Sequence, residues 1–316
     1  MSTPTDGPDA APRGGRVLLT GWFSFLHGEA TVGDVLALDR VRAALDRRGT
    51  AYDTAWSGGF HPRGLRLDAA DPGRYRAVVF ICGPLHGPQI EDLHRRFPHC
   101  LRIAVGVSVL DTADPAVRGF HRVLARDAPG APPRRDLAVS APRSPAPPVV
   151  GVALTRGQGE YGGRRRHEAA GDTLTGWLNG KDCARLDVET RLDPGDWRLA
   201  ATAAQFEAVV ARLDVLVTNR LHGLVTGLRA GVPVLAVDAV AGGAKLTAQA
   251  QACDWPALVP VEEADTAELD RWWAWCLDEG RELARQRSEE FRAVPGTGLL
   301  TGLTEALDGA ARWTTR

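Results

Sequence analysis

The feature that most constrains this chain is an alternation repeated along most of its length, in which short apolar runs of β-type residues are separated by longer segments of helical spacing. Ala77–Cys82 (AVVFIC) and Leu101–Val109 (LRIAVGVSV) lack the polar alternation of a half-exposed strand, as expected of parallel strands covered on both faces by helices. With Arg16–Thr20, a helix over about Asp34–Arg48, and Tyr52–Trp56, they form a first βαβ series. A second series places strands at Val149–Leu154, Leu186–Thr190, Asp214–Thr218, Val232–Val237 and Ala257–Val261. Its clearest helix spans Leu199–Leu213, where Leu199, Phe206, Val209, Val210 and Leu213 fall on one stripe. The expected fold is α/β, with two Rossmann-like lobes facing a cleft.

Between the two series, residues 128–148 hold seven prolines, which preclude a helix and leave only DLAVSA able to pair as a strand. This segment is read as a Pro-rich linker. It separates an N-terminal lobe over 16–127 from a C-terminal lobe over 149–316. Residues 1–15 are polar, rich in Pro and Gly and without an apolar h-region, so they read as a flexible leader and not a secretion signal. From about Thr266 the chain reads as helical, and the Trp residues of WWAWC at Trp272–Cys276 are expected to pack rather than to mark a ligand.

Composition excludes several functions. The 38 basic and 39 acidic residues are interspersed, so no basic stripe marks a nucleic-acid binder. No run reaches the roughly 18 apolar residues of a membrane span, and a cytoplasmic location is expected. The five cysteines are widely spaced with no CxxC pair, and the eight histidines are scattered, so neither a disulfide framework nor a metal site is expected. Only Lys181 and Lys245 are lysine in a chain that otherwise uses arginine, which makes each lysine unusual.

The most informative stretch is Asp214–Lys245, DVLVTNRLHGLVTGLRAGVPVLAVDAVAGGAK. A buried strand ends at Thr218 and a helix starts near Leu221, which places Arg220 and His222 at a strand's carboxyl end and a helix's N-terminus. Open α/β sheets bind ligands at that edge, and a helix N-terminus offers N–H groups to an anion. Position alone leaves two readings open. Either the pair serves a phosphate or carboxylate ligand, or Arg220 meets a carboxylate of the protein and His222 is a satisfied histidine at a helix end. Ala230-Gly231 followed by Pro233 is a helix-stop signal that supports the placement.

The run TNRLHGLVTGLRAGVPVLAV, then Lys245 in a glycine-rich loop and Cys253-Asp254-Trp255, resembles the RLHG…G-P…K segment of the polysaccharide pyruvyl transferase family. Other pieces are similar to the same family. The loop Gly21–Val32 leads into Gly33-Asp34, and CGPLHG at Cys82–Gly87 follows a later strand. Arg126-Asp127 precedes DLAV, and VGVALTR at Val150–Arg156 puts an arginine after the first strand of the second lobe. The resemblance covers nearly the whole chain. It departs where the family commonly has Asn shortly before Gly-Asp, since Ala30-Thr31-Val32 stands here, and in the compressed connection between lobes.

This resemblance implies a transferase with two lobes as in the GT-B glycosyltransferases, acting in polysaccharide biosynthesis of the cell envelope. It would transfer pyruvate from phosphoenolpyruvate, a co-substrate, to two hydroxyls of a sugar as a cyclic ketal, without another cofactor. Arg156, Arg220 and Lys245 would bind phosphoenolpyruvate, and His222 would be the general acid. Gly33, Asp34 and His86 would lie on the acceptor side, in first-lobe loops that also hold His27 and His61. The acceptor would be a sugar or glycan precursor, with peripheral contact to a lipid-linked form among the options. Two alternatives stand beside this reading. One is a glycosyltransferase using a nucleotide-sugar donor, for which Glu262 and Glu263 are candidates to hold a ribose. The other is a non-catalytic relative that binds a sugar.

Overall fold

The computed structural model describes residues 15–25, 30–157, 159–293 and 298–310, and the chain divides into two units, Met1–Ser144 and Pro145–Arg316. Residues 1–14, nearly all of the expected leader, and His27 lie outside the described residues. The division falls inside the Pro-rich segment.

The first unit runs β1 (Arg16–Gly21), α1 (Val32–Asp46), β2 (Tyr52–Trp56), β3 (Leu65–Arg66), β4 (Tyr75–Ile81), α2 (Pro88–Arg96), β5 (Leu101–Ser108), α3 (Pro115–Arg118) and β6 (Arg122–Asp127). The six strands form one sheet in the order β3-β2-β1-β4-β5-β6, with every pairing parallel. Successive side chains of β1 go to opposite faces. Leu18 joins Val78, Phe80 and α2's Ile90 and Leu93 on one side, while Val17 and Leu19 join Ala37 and Leu38 of α1 on the other. Both faces are thus apolar, which is why the strands read as continuous hydrophobic runs. Full burial of Leu18 or Leu38 is worth about 1.5–3 kcal/mol each. The edge strands β3 and β6 are additions to the sequence-based expectation.

Much of the Pro-rich segment packs on this unit instead of spanning free. Arg126 donates to Asp127 at 2.8 Å and to the Ser108 hydroxyl at 2.6 Å, and it also pairs with Asp136. Residues 137–140 form a 3-10 turn, where a strand was the only regular element expected. Leu137 lies against Gly106, and Ser140 accepts from Arg40 of α1.

The second unit runs β7 (Val149–Ala153), α4 (His167–Asn179), β8 (Ala184–Asp187), α5 (Ala203–Val210), β9 (Val215–Thr218), α6 (Leu221–Arg229), β10 (Val234–Asp238), α7 (Lys245–Ala252), β11 (Leu258–Pro260), α8 (Thr266–Leu277), α9 (Glu279–Ala293) and α10 (Gly298–Ala310). Its five-stranded sheet has the order β11-β10-β9-β7-β8 and is again parallel throughout. The expected helix Leu199–Leu213 is shorter, because Thr202 accepts from the Gln205 N–H and starts α5 only after it. The Trp-rich segment packs within this unit. Trp177 meets Trp273 edge-on at 5.6 Å and Trp255 meets Trp275 at 5.3 Å. The Trp255 Nε1–H donates to the Val234 carbonyl at 2.7 Å. Lys181 is absorbed here too, paired with Asp270 and 5.2 Å from the Trp177 ring.

Each sheet has the doubly wound order of a Rossmann-like unit, in which the chain leaves the first strand to one side and later returns to the other. That reversal, the switch point, lies between β1 and β4 in the first unit and between β7 and β9 in the second.

Candidate functional site

At the carboxyl end of β9 the chain turns directly into α6. Thr218 is fully buried, and its hydroxyl donates to the Ala153 carbonyl of β7 at 2.7 Å while accepting from the Arg220 N–H at 3.0 Å. A Cβ built on Gly223 would stand 2.3 Å from that hydroxyl oxygen, and one on Gly227 would stand 2.4 Å from Val234 Cγ2. The two glycines, four residues apart, form the face that lets α6 lie against β9 and β10. At its far end Gly231 has φ +74. The Val232 N–H reaches back to the Gly227 carbonyl and the Gly231 N–H to that of Leu228, the paired bonds of a glycine-stopped helix.

Arg220 is the extended N-cap of α6 and supplies no side-chain cap, so the first N–H groups of the helix have no partner within it. His222, in the first turn, is exposed. Asn219 is 4% exposed and acts as a clasp across the switch point. It accepts from the Thr155 N–H at 2.7 Å and donates to the Thr155 carbonyl at 2.9 Å. Arg156 follows immediately. The arginines after β7 and β9 therefore leave the sheet on the two sides of the switch point.

Lys245 comes from the next strand over. At the end of β10, Asp238 is 2% exposed and accepts from the N–H groups of Val240, Ala244 and Thr247 and from the Thr247 hydroxyl, at 2.6–3.1 Å. This carboxylate folds the Ala-Gly-Gly-Ala loop, whose Gly242 and Gly243 both have positive φ, and fixes where α7 begins. Lys245 is the first residue of α7. Its Nζ lies 3.4 Å from Glu160 and 5.6 Å from the Tyr161 ring, both in the loop after β7. Backbone bonds from Arg166 to Ala239 at 2.8 Å and from Ala241 to Arg164 at 2.9 Å join the same two loops. The sheet order thus gathers Arg156, Arg220, His222 and Lys245 on the carboxyl ends of the adjacent strands β7, β9 and β10.

Each of the three cations meets a carboxylate. Arg156 is 3.1 Å from Asp172, Lys245 meets Glu160, and Arg220 pairs closely with Glu189. Burial pushes the Glu189 carboxyl up, but the Arg191 N–H and the Arg220 guanidinium together outweigh it and hold the group below its ordinary value. Sequence reasoning missed Asn219, Glu189 and Asp238. A hint for Asp238 was a strand of buried type ending in Asp before a double glycine.

Beside Lys245, His167 opens α4 and is 2% exposed, and its Nδ1 has no hydrogen-bond partner among the described residues. Burial, then Arg165, lowers its pKa. Among the described residues no group of three or more His, Cys, Asp or Glu is arranged to hold a metal ion.

In the first unit, Asp34 occupies the third position of α1. It accepts from the Thr31 N–H at 3.1 Å and the Thr31 hydroxyl at 2.8 Å, and Thr31 accepts from the Asp34 N–H. This is a reciprocal capping arrangement. Burial, then the neighbouring Asp34 carboxylate, pushes the Cys82 thiol up to about 11. Gly33 lies in the same first turn. His86 is exposed and 3.1 Å from Asp114. The switch point of this unit is filled by Trp22, whose Nε1–H donates to the Pro84 carbonyl at 3.0 Å and whose ring would be 2.3 Å from a Cβ on Gly83.

No protein-family model and no curated protein matches the chain. Among solved structures it is similar to spinosyn rhamnosyltransferase SpnG, at 13% identity over 92% of this chain and 100% of that one with a TM-score of 0.35. The glycotransferase of kitacinnamycin is similar at 13% identity, covering 93% and 99%, with a TM-score of 0.35. Glycosyltransferase SnogD from Streptomyces nogalater is similar at 14% identity, covering 93% and 99%, with a TM-score of 0.30. SpnG has also been solved with thymidine diphosphate.

Proposed function

We propose that this chain is a transferase that modifies a sugar, and that the transferred group is pyruvate from phosphoenolpyruvate, delivered to two hydroxyls as a cyclic ketal. The observation that carries the reading is the gathering of Arg156, Arg220, His222 and Lys245 along three adjacent strand ends at a switch point. Lys245 supports it further. A cation at the first position of a helix is disfavoured by the peptide dipoles, by about 0.3–1 kcal/mol, so the position suits binding an anion better than it suits stability.

In this mechanism the donor trianion displaces Asp172, Glu189 and Glu160 from their cations and takes the free N–H groups of α6. Protonated His222 gives its proton to the methylene carbon of the donor, and the positive character that develops at C2 is captured by the first sugar hydroxyl. That hydroxyl's proton returns to the imidazole. The second hydroxyl then attacks C2 as the C–O bond to phosphate breaks, and its proton passes to the departing phosphate oxygen, which closes the ketal and releases hydrogen phosphate.

A second reading rests on the loop between β7 and α4. Gly157, Gly159, Gly162 and Gly163 lead through Arg164-Arg165-Arg166 to the N-terminus of α4, the kind of first βα turn that takes a pyrophosphate. On that reading the donor is a nucleotide sugar and the chain a glycosyltransferase. Thermal-shift titration separates the two, because a ligand bound only by the folded state raises its stability by about 2.7 kcal/mol at 100 times Kd. Phosphoenolpyruvate is expected to raise Tm in the wild type and not in Arg220→Ala. A shift with UDP, GDP or dTDP alone would replace pyruvyl transfer by glycosyl transfer. His222→Gln is expected to keep the phosphoenolpyruvate shift and lose turnover, measured as phosphate release; undiminished release would remove His222 from the mechanism. Donor binding without release on any acceptor would instead mark a non-catalytic relative.

A further inference from the structure

The first unit contains a cavity of about 320 Å³ that involves none of the residues discussed so far as donor or acceptor groups. It opens beside the carboxyl ends of β1, β2 and β3, against one flank of α2. We propose that this cavity is a binding site for an uncharged, hydroxyl-rich ligand of monosaccharide size, and that it is where a sugar docks. The sugar's role as the acceptor rests on the function proposed above; the site itself does not.

Three features carry the inference. The cavity has an apolar floor of Phe25, Leu67 and Leu93, two of which are almost wholly buried in the core. A few polar groups on an apolar floor in a cavity of about 300–1,000 Å³ is the usual make-up of a small-molecule site. Second, its polar lining has unused hydrogen-bonding capacity. Ser57 is 3% exposed and its hydroxyl accepts from the Phe60 N–H at 3.3 Å, with no acceptor for its own proton among the described residues. Arg96 spends its Nη2 on the carbonyls of Asp68 and Ala70, and its Nε, without a partner among the described residues, is sealed from solvent. The Gln89 amide, which brings both a donor and an acceptor, is likewise unengaged there.

Third, the charges cancel. Arg66 and Arg96 share the lining with Asp68 and Asp92, and Arg66 is paired with Asp68 at 3.1 Å. Such a wall offers nothing net to a phosphate or a carboxylate. It does offer donors and acceptors to both hydrogens and lone pairs of neighbouring hydroxyls. The Trp56 ring is already engaged by His61, stacked on it at 5.5 Å, and by Arg42, 5.3 Å from its centroid. Ring stacking on Trp56 is therefore not the means of binding.

The test is saturation-transfer NMR of the full chain with methyl glycosides of glucose, galactose, mannose and N-acetylglucosamine at millimolar concentration. At least one is expected to bind, to weaken several-fold in Gln89→Ala and to be lost in Gln89→Trp, which fills the cavity from the surface of α2. Phosphoenolpyruvate should displace nothing. Binding by none of the four, binding that survives Gln89→Trp in a folded variant, or displacement by phosphoenolpyruvate would each overturn the proposal. A glycoside signal in a protein whose Tm ignores phosphoenolpyruvate would leave this site standing while the donor assignment fell.

Discussion

Gly223 decides how near α6 can come to the sheet, and through that distance it decides where Arg220 and His222 stand. The Thr218 side chain opposite it is held by the Ala153 carbonyl and cannot swing away without losing a buried bond. An added methyl group is therefore overpacking against a fixed wall, a class of change that costs about 1–3 kcal/mol and at times more. Gly223→Ala is expected to lower the urea midpoint, and the unfolding free energy extrapolated from it to fall by an amount at or above the top of that range. A midpoint equal to wild type would show that α6 can shift outward freely. The asparagine clasp and the Asp238 carboxylate act in the same way at neighbouring strand ends, since each fixes a loop by satisfying main-chain groups that would otherwise be buried without partners. None of the three touches a donor in the proposed mechanism; they set the positions of residues that would.

At the scale of elements, the site consists of loops leaving three parallel strands, and its cations are balanced by carboxylates from β8's following loop, from α4 and from the loop after β7. Glu189 is the one most closely engaged, with the Arg220 guanidinium. Removing its charge while keeping its acceptor oxygen for the Arg191 N–H should free Arg220 for an incoming anion. Glu189→Gln is expected to tighten phosphoenolpyruvate binding several-fold in a calorimetric titration, whereas looser binding would mean that the ion pair orders Arg220 for the ligand. The elements themselves were largely legible beforehand. β2 begins and ends where expected, and β7, β9, β10 and β11 fall within two residues of expectation. The misses are at the margins. β6, RVLARD, carries three charges in six residues and lies at the sheet's edge, where one side needs no apolar cover. β8 came two residues early for a similar reason, since all four of its residues are exposed and no buried face fixes its register.

At the scale of the whole molecule, each unit carries a histidine whose burial lowers its pKa, His94 in the first and His167 in the second. Unfolding returns both to the ordinary value near 6.5. Between that value and the lower folded one, the unfolded chain binds more protons, so the stability these groups confer is fully present above about pH 6.5 and is lost as pH falls through the folded values. Urea denaturation should accordingly show a lower midpoint at pH 5.5 than at pH 8. His167→Phe, which can keep the stack on Tyr161, is expected to reduce that difference. An unchanged difference in that variant would assign the acid sensitivity elsewhere. Among the described residues, no helix is long and apolar enough to cross a membrane.

By itself the sequence determined the class of fold, the two parallel sheets, the strand-to-helix turn at Arg-Leu-His-Gly and the glycine stop after α6. These follow from patterns a few residues long, in which hydrophobic periodicity and the conformational freedom of glycine act locally. Only the tertiary structure decided which carboxylate meets which cation, as with Glu160 and Lys245, 85 residues apart. It alone showed that Asp34 and Cys82 are neighbours, that Trp22 fills the first unit's switch point, and that Ser57, Gln89 and Arg96 share a cavity. Such meetings depend on the order in which strands are laid into a sheet. That order is set by packing across the whole unit, and the spacing of residues along the chain does not record it.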